Sequence, residues 1–237
     1  MPDHRICGLN AVAALFAKRA HDVNRLYYSA PLKGEAGAFC ALLARRRRPY
    51  RLLPPDELER AAATVHHGGI CALATPPAIP RLDPQHPPRH RFLLVLDGVG
   101  NPHTLGAIAR SAAYFGVPAL LLHDVEEQAF PSDAAYRVAE GGLEYLDLHR
   151  TPDLPATLRS LDPFYRTVAA TQDEDAVPVR ALPRDRPVAL VLGNEDRGSA
   201  PEVLAACRRR IRIPGAGPVQ SLNLAQAAAI LIHELTA

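Results

Sequence analysis

The strongest constraint on the fold sits in the last third of the chain. Val188-Ala-Leu-Val-Leu-Gly193 is an apolar, β-branched run that halts at Gly193-Asn194. Such a run reads as a buried strand closed by a tight turn, because glycine accepts backbone angles that other residues resist. A second short run, Ile211-Arg-Ile213, stops at Pro214 and is followed by Gly215 and Gly217. Ser221-Leu222-Asn223 then introduces an Ala-rich stretch from Leu224 to Leu235 without Gly or Pro, which predicts a helix. Two strands that end in glycine-containing loops, the second feeding a helix, are parts of an open α/β sheet. Ligands of such sheets settle beyond the carboxyl ends of the strands.

The rest of the chain supplies the partners for these strands. Between residues 91 and 213, strands are expected at Arg91–Asp97, Val117–Leu122, Tyr145–His149, Phe164–Ala170 and Arg210–Ile213. Helices are expected over Thr104–Tyr114 with Thr104 as cap, Ser132–Ala139, Leu154–Leu161 and Pro201–Cys207. This alternation implies a mostly parallel sheet covered on both faces. A smaller α/β module precedes it. It has a helix beginning at Cys7 with Asn10 as N-cap, a strand at Val23–Ser29 and a helix over Gly34–Arg46. A strand at Tyr50–Leu53, a helix through Ala63 and a strand at Ile70–Ala74 complete it. Residues 75–90 contain Thr75-Pro-Pro-Ala-Ile-Pro80 and Pro84-Gln-His-Pro-Pro88, too proline-dense for a helix or a central strand. They predict a semi-stiff extended connector. The expected organisation is therefore 1–76 as a first domain, 77–90 as linker and 91–237 as the main domain.

With 237 residues, 48% of them hydrophobic, the chain can build a sizeable core. The four cysteines form no CxxC pair and no Cys/His cluster of zinc spacing, so reduced thiols and no metal are expected. No apolar run nears the ~20 residues of a membrane helix and no signal pattern opens the chain, which points to a cytoplasmic protein without membrane contact. Net charge is only +2 but unevenly spread. Residues 1–80 carry eleven Lys/Arg against six Asp/Glu, whereas 91–237 carry fourteen against eighteen. The basic face is expected in the first domain, at Arg45, Arg46, Arg47 and Arg48 with Arg51. Guanidiniums there can pair with RNA phosphates, and Tyr27, Tyr28 and Tyr50 can offer stacking surfaces. A solvated helix end is the plainer reading of the four arginines.

Three segments occur in a telling order. They are Asn101-Pro-His-Thr-Leu-Gly106-Ala-Ile-Ala-Arg110, then Leu192-Gly193-Asn194-Glu195 with Gly198, then Ile213-Pro214 with Ser221-Leu222-Asn223. With them the chain resembles the SpoU/TrmH-type branch of the SPOUT RNA methyltransferases across residues 91–237. It departs from that pattern at Gly215, where the family usually has Met, and at Leu224-Ala225-Gln226, in place of Val-Ser-Val. The resemblance implies an α/β fold with a mostly parallel sheet and a C-terminal trefoil knot. It also implies a small L30e-like α/β domain in front, for which Gly8-Leu-Asn-Ala-Val and His67-Gly68 give a looser match.

The activity implied is methyl transfer from S-adenosylmethionine to a ribose 2′-hydroxyl of ribosomal or transfer RNA, by a homodimer. The runner-up is an RNA-binding protein of the same fold without turnover, and a binder of nucleotide or coenzyme-A-type ligands is a third reading. By resemblance Leu192, Gly193, Asn194, Gly198, Ile213, Ser221 and Leu222 hold the donor, and Arg110, Asn101, Glu195, Ser221 and Asn223 form the catalytic set. A guanidinium already carries its proton at neutral pH and does not give it up, so it cannot serve as a general base. Arg110 is therefore expected to bind the target phosphate and stabilise developing alkoxide charge. Each residue also has a plain alternative. Gly193 suits an ordinary turn, Glu195 a helix N-terminus, Ser221 and Asn223 simple capping, and Arg110 a solvated helix face.

Overall fold

The structure, a computed structural model, describes residues 2–83 and 85–237. Met1, and Pro84 within the expected linker, lie outside the described residues. Two sheets organise the chain. The first takes β1 (His4–Cys7), β2 (Val23–Tyr28), β3 (Tyr50–Leu52) and β4 (Ile70–Ala74) in the order β1-β4-β2-β3. Helices α1 (Leu9–Arg19) and α2 (Lys33–Arg45) pack on one face of it, and α3 (Pro55–Ala62) lies on the other.

The second sheet has seven strands, every named pairing parallel, in the order β7-β6-β5-β10-β8-β11-β9. They are β5 (Phe92–Asp97), β6 (Ala119–His123), β7 (Asp147–Thr151), β8 (Arg166–Ala170), β9 (Val177–Pro178), β10 (Val188–Gly193) and β11 (Arg209–Arg212). Its helices are α4 (Pro102–Tyr114), α5 (Asp133–Ala139), α6 (Leu154–Leu161), α7 (Pro201–Ala206) and α8 (Leu224–Thr236). The middle strands β5 and β10 are buried along their whole length, so both faces of their apolar runs find cover. One face of the sheet joins α4, α5 and α8 in the larger core, and the other packs on α6 and α7.

Several expectations need correction. Cys7 does not begin a helix. It ends β1, a strand the sequence pattern missed because it is only four residues long. Asn10 is not the cap of α1; Gly8, with φ +92°, stands at that position. Asn10 instead donates to Glu140 across the molecule at 3.0 Å. Thr104 does not cap α4 either. Asn101 does, its Oδ1 accepting from the His103 amide at 2.8 Å, and Pro102 takes the first helical position, where its missing N–H costs nothing.

The proline-rich connector is strapped down as well as extended. The Leu82 amide donates to the Arg150 carbonyl at 2.9 Å, and the Arg150 amide donates to the Pro80 carbonyl at 3.0 Å. Arg81 thereby bridges the edge strand β7 in parallel, and the Tyr165 hydroxyl donates to the Pro88 carbonyl.

The two sheets share one apolar core, in which Leu15 and Phe16 of α1 join Tyr136 and Leu143 of the second half. A buried ion pair sits in the same seam. Arg19 donates through Nε and Nη2 to the two Glu144 oxygens, at 2.7 and 2.9 Å, and through Nη1 to the Thr75 carbonyl at 2.6 Å. A guanidinium held bidentately this way fixes orientation as well as distance. Asp133 at the start of α5 accepts from the Arg5 amide at 2.9 Å and meets His4 at 3.2 Å. These contacts fix the first domain to the main one as a docked body.

Candidate active site at the carboxyl ends of the parallel strands

β8, β10 and β11 all point their carboxyl ends to one groove. It has a volume of about 460 Å³ and lies between the turn at 193–199, the end of β8, residues 220–222 and the first turns of α8. A second hollow of about 820 Å³ continues it along Ile213 to Gly217 and shares Gln172, Arg212, Ile213, Ser221 and Leu222 with it. Sites for small organic ligands usually fall between ~300 and ~1,000 Å³.

The turn after β10 is built by close approach. A side-chain carbon on Gly193 would lie 2.2 Å from the Ser199 amide nitrogen and 2.3 Å from the Gly198 carbonyl carbon. Only glycine lets the returning chain pass so near. Asn194 closes the turn. Its amide and carbonyl pair with those of Gly198 at 3.1 and 2.9 Å, and its Oδ1 accepts from the Asp196 and Arg197 amides. Its Nδ2 donates to the Gly98 carbonyl at 2.7 Å, tying this turn to the loop in front of Asn101. Gly198, at φ +68°, takes the left-handed conformation that glycine tolerates best.

Two residues that shape this turn were missed by sequence reasoning. Asp97, the buried last residue of β5, accepts from His123 Nδ1 at 2.8 Å and from the Ala200 amide at 3.3 Å, and so pins the far end of the turn. A carboxylate ending an otherwise wholly apolar strand was the available signal. Ser199 lines the groove, and its Oγ is buried without a hydrogen-bond partner. An unpaired buried hydroxyl is costly, so it marks a place where a ligand can supply the missing bond.

The structure brings Leu192, Gly193, Asn194, Glu195, Gly198, Ile213, Ser221 and Leu222 to the wall of this one groove. It leaves Asn101, Asn223 and Arg110 off that wall. Asn101 and Asn223 serve as caps, Asn223 accepting from the Ala225 amide at 2.9 Å. Arg110 is exposed on α4 and makes no hydrogen bond or ion pair among the described residues. Its backbone instead touches the turn at Gly142, where an added carbon would come within 2.9 Å of the Arg110 Cα.

Arg45 to Arg48 are all exposed at the end of α2. Arg51 is separated from them. It pairs in register with Tyr27 and lines a groove with Glu57 and Arg60 on the α3 side of the first sheet. Burial, reinforced by the Asp97 carboxylate, pushes the Cys207 thiol up to about 12, so it stays protonated and unreactive at neutral pH.

The groove suits a cationic ligand with both polar and apolar parts. Asp173, Glu195 and Asp196 line it with two guanidiniums, Arg197 and Arg212; Asp173 is paired with Arg210 at 3.0 Å, which leaves Glu195 and Asp196 as the carboxylates open to a ligand, and both guanidiniums are engaged. Arg197 reaches Glu127 at 3.3 Å and Arg212 donates to the Ala176 carbonyl at 3.2 Å. Leu192, Ile211, Leu222 and Leu231 supply apolar walls. Among the described residues no group of three His, Cys, Asp or Glu is placed to hold a metal, and no helix is long and apolar enough to cross a membrane.

If the Ser199 hydroxyl waits for a ligand, Ser199→Ala should weaken ligand binding to the groove about 5- to 10-fold, the worth of one ordinary hydrogen bond. The free protein should be no less stable, because the lost hydroxyl had no partner. Titration calorimetry with the sulfonium donor or its demethylated product, together with thermal melts, reads both halves of this expectation.

The model of the SpoU rRNA Methylase family matches residues 91–233, and that of the RNA 2′-O ribose methyltransferase substrate-binding family matches residues 5–80. An uncharacterized tRNA/rRNA methyltransferase of Haemophilus influenzae is 31% identical over 233 residues, 96% of this chain. The chain spans 65%, just under two thirds, of that relative's length. The 23S rRNA (guanosine-2′-O-)-methyltransferase RlmB of Acinetobacter baylyi is 32% identical over 185 residues, 76% of this chain and 74% of the relative. The fold is shared with the SpoU methyltransferase AviRb of Streptomyces viridochromogenes, solved in complex with the cofactor AdoMet. Its TM-score is 0.78 at 23% identity, over 98% of this chain and 88% of that one.

Proposed function

From the premise that this chain belongs to the SpoU rRNA methylase family, we propose that it transfers the methyl group of S-adenosylmethionine to a ribose 2′-hydroxyl of RNA. The observation that carries this reading is the groove at the ends of β8, β10 and β11, which Gly193, Ile213 and Leu222 line together with Ser199, whose hydroxyl is buried without a partner. Those residues fit the donor: backbone that can be approached closely, apolar walls, a spare hydroxyl, and carboxylates near a positive sulfonium. The donor, once bound, supplies an activated methyl group for in-line displacement. Gly193, Ile213, Ser221 and Leu222 would hold it against the strand ends, and the substrate-binding domain, docked through Arg19 and His4, would present RNA from a fixed direction. Relatives named as 23S rRNA guanosine 2′-O-methyltransferases, and as tRNA/rRNA methyltransferases, support RNA as the acceptor.

The catalytic set is Arg110, Asn101, Glu195, Ser221 and Asn223, with Arg110 meeting the target phosphate. Because Arg110 stands exposed and away from the groove of its own chain, a second copy supplies it. We therefore read the active unit as a homodimer formed through α4 and α8, where Tyr114 and Ile230 are left exposed. The trefoil knot belongs to the same reading. The cytoplasm, where such RNA resides, is the proposed location.

Tritium from labelled S-adenosylmethionine should appear in unmodified ribosomal or transfer RNA as alkali-resistant 2′-O-methyl nucleotides. Donor binding without any label transfer to either RNA would instead identify a binding module without turnover.

The arginines of the first domain give a graded expectation. Replacing Arg45 to Arg48 one at a time by Gln should lower RNA affinity equally across sequences. Each change should reduce the slope of log affinity against log salt by about 1, as for one lost phosphate contact. Filter binding at several salt concentrations measures it, and an unchanged slope for all four assigns them to a solvated helix end.

A further inference from the structure

Sequence spacing gives no reason to pair any of the four cysteines, yet the fold brings two of them face to face. Cys7 and Cys71 are direct partners in the antiparallel β1–β4 ladder. The Gly8 amide donates to the Ile70 carbonyl at 3.2 Å, which makes Cys7 and Cys71 a non-hydrogen-bonded pair. At such positions the α-carbons approach to about 4.5 Å and the side chains are closest, within the span a disulfide can bridge. The remaining cysteines are elsewhere: Cys40 lies on α2, across the sheet, and Cys207 lies in the other domain. Both ladder thiols are buried under Leu58 and Ala62 of α3. An opening leads in. A cavity of about 50 Å³ reaches Cys7 between Thr64, Arg5, Arg137 and Asp133, ample for a molecule little larger than water.

We propose that Cys7 and Cys71 form a peroxide-sensitive dithiol, oxidised reversibly to a cross-strand disulfide by a small hydroperoxide entering through this cavity. The Cys7 sulfur attacks one peroxide oxygen, the O–O bond breaks, and hydroxide leaves with a proton as the first water. Cys7 is then a sulfenic acid. The Cys71 sulfur attacks it, the S–O bond breaks, and the second water departs with the Cys71 thiol proton. Two thiols lose two electrons and two protons, and the peroxide accepts both.

The surroundings favour Cys7 as the attacking group. Hydrogen bonding with Cys71 holds its thiol below the ordinary value, burial and the Asp133 carboxylate oppose this, and Arg137 and Arg5 assist it. The same hydrogen bond and burial push Cys71 up, which leaves it the resolving thiol. The bond would staple the first strand of the small sheet to its last, at the edge where β1 also meets Asp133.

The test reads thiols alone and is independent of methyl transfer. The full chain is exposed to hydrogen peroxide, quenched, unfolded, alkylated and digested with trypsin. Of the four thiols, the two at Cys40 and Cys207 should remain alkylatable. A disulfide should link peptide 6–18 to peptide 61–81, and dithiothreitol should reverse it. Cys7→Ser should abolish the link and leave Cys71 alkylatable. Oxidation of Cys40 or Cys207 ahead of the pair would overturn the proposal. So would irreversible oxidation of Cys7 without a link, or four intact thiols at a peroxide dose that oxidises glutathione. The wild-type peptide map alone decides the matter if the variant does not fold.

Discussion

Gly193→Ala should abolish donor binding and lower methyl transfer by about 100-fold or more, the scale on which misplacement by an ångström acts. The reason is geometric. The new methyl would stand 2.2 and 2.3 Å from backbone atoms of Ser199 and Gly198. Overpacking costs about 1–3 kcal/mol where neighbours can yield, but here the neighbours are a main chain held by its own bonds. Asn194 pairs with Gly198, and Asp97 holds the Ala200 amide. To admit the methyl, the turn must swing outward, and the wall carrying Asn194, Glu195 and Ser199 goes with it. Gly198→Ala is the informative contrast. Nothing lies within 4 Å of its added carbon, and only its φ of +68° resists a side chain. That costs about 1–2 kcal/mol of backbone strain without moving the wall. Gly217→Ala meets neither obstacle and should be neutral. Calorimetry with S-adenosylhomocysteine, together with thermal melts, separates the three. Equal donor affinity in the Gly193 and Gly198 variants would show that close approach at Gly193 does not shape the pocket.

How much of this was legible beforehand follows from the range of the interactions. The strands at 92–97 and 188–193 were readable because both are buried on two faces, which leaves continuous apolar runs that no surface element carries. That strand ends would gather in one groove was readable from the glycines that close β10 and follow β11, because the ends of neighbouring parallel strands meet in space; which residues of that groove act was carried by the family resemblance alone. What stayed hidden depends on partners distant in sequence. β1 is four residues long and takes its identity from β4, nearly the whole first domain away. The proline-rich stretch was legible as a semi-stiff extended connector but not as one pinned to the sheet, since nothing local says that Arg150 will accept and donate along it. Asn10 and Thr104 were assigned as caps from residue type alone, whereas capping depends on which residue first leaves the helical geometry. Ser199 and Asp97 escaped notice because a buried hydroxyl without a partner, and a carboxylate between a histidine and a distant amide, exist only once the chain has closed. Arg110 shows the same boundary from the other side. Its place in a motif was plain, but a motif does not say in whose groove the side chain works.

Arg110→Ala should lower methyl transfer about 10²- to 10³-fold, the usual cost of removing one group that stabilises charge in the transition state. Donor affinity should stay within a few-fold of wild type, because Arg110 is not among the residues that line the groove proposed for the donor. Folding should be untouched, since the side chain is exposed and makes no hydrogen bond or ion pair among the described residues. This separates it from Gly193→Ala, which loses the donor first. The two variants together answer the question that the single chain raises. If Arg110 acts in the groove of its partner, a mixed dimer of Arg110→Ala and Gly193→Ala subunits has one complete site. The intact groove of the first subunit receives the intact arginine of the second. Random pairing makes half the dimers mixed, with one working site of two, so the unsorted mixture should recover about a quarter of wild-type activity and the isolated mixed dimer about half. If Arg110 acts in its own chain, no mixed dimer has a complete site and the mixture stays inactive. Co-expression with two affinity tags, followed by tandem purification and label transfer to RNA, isolates the mixed species. Inactivity of that species alongside an active wild-type dimer would remove the shared site, and Arg110 would then have to reach its own groove by a movement of α4 against α8.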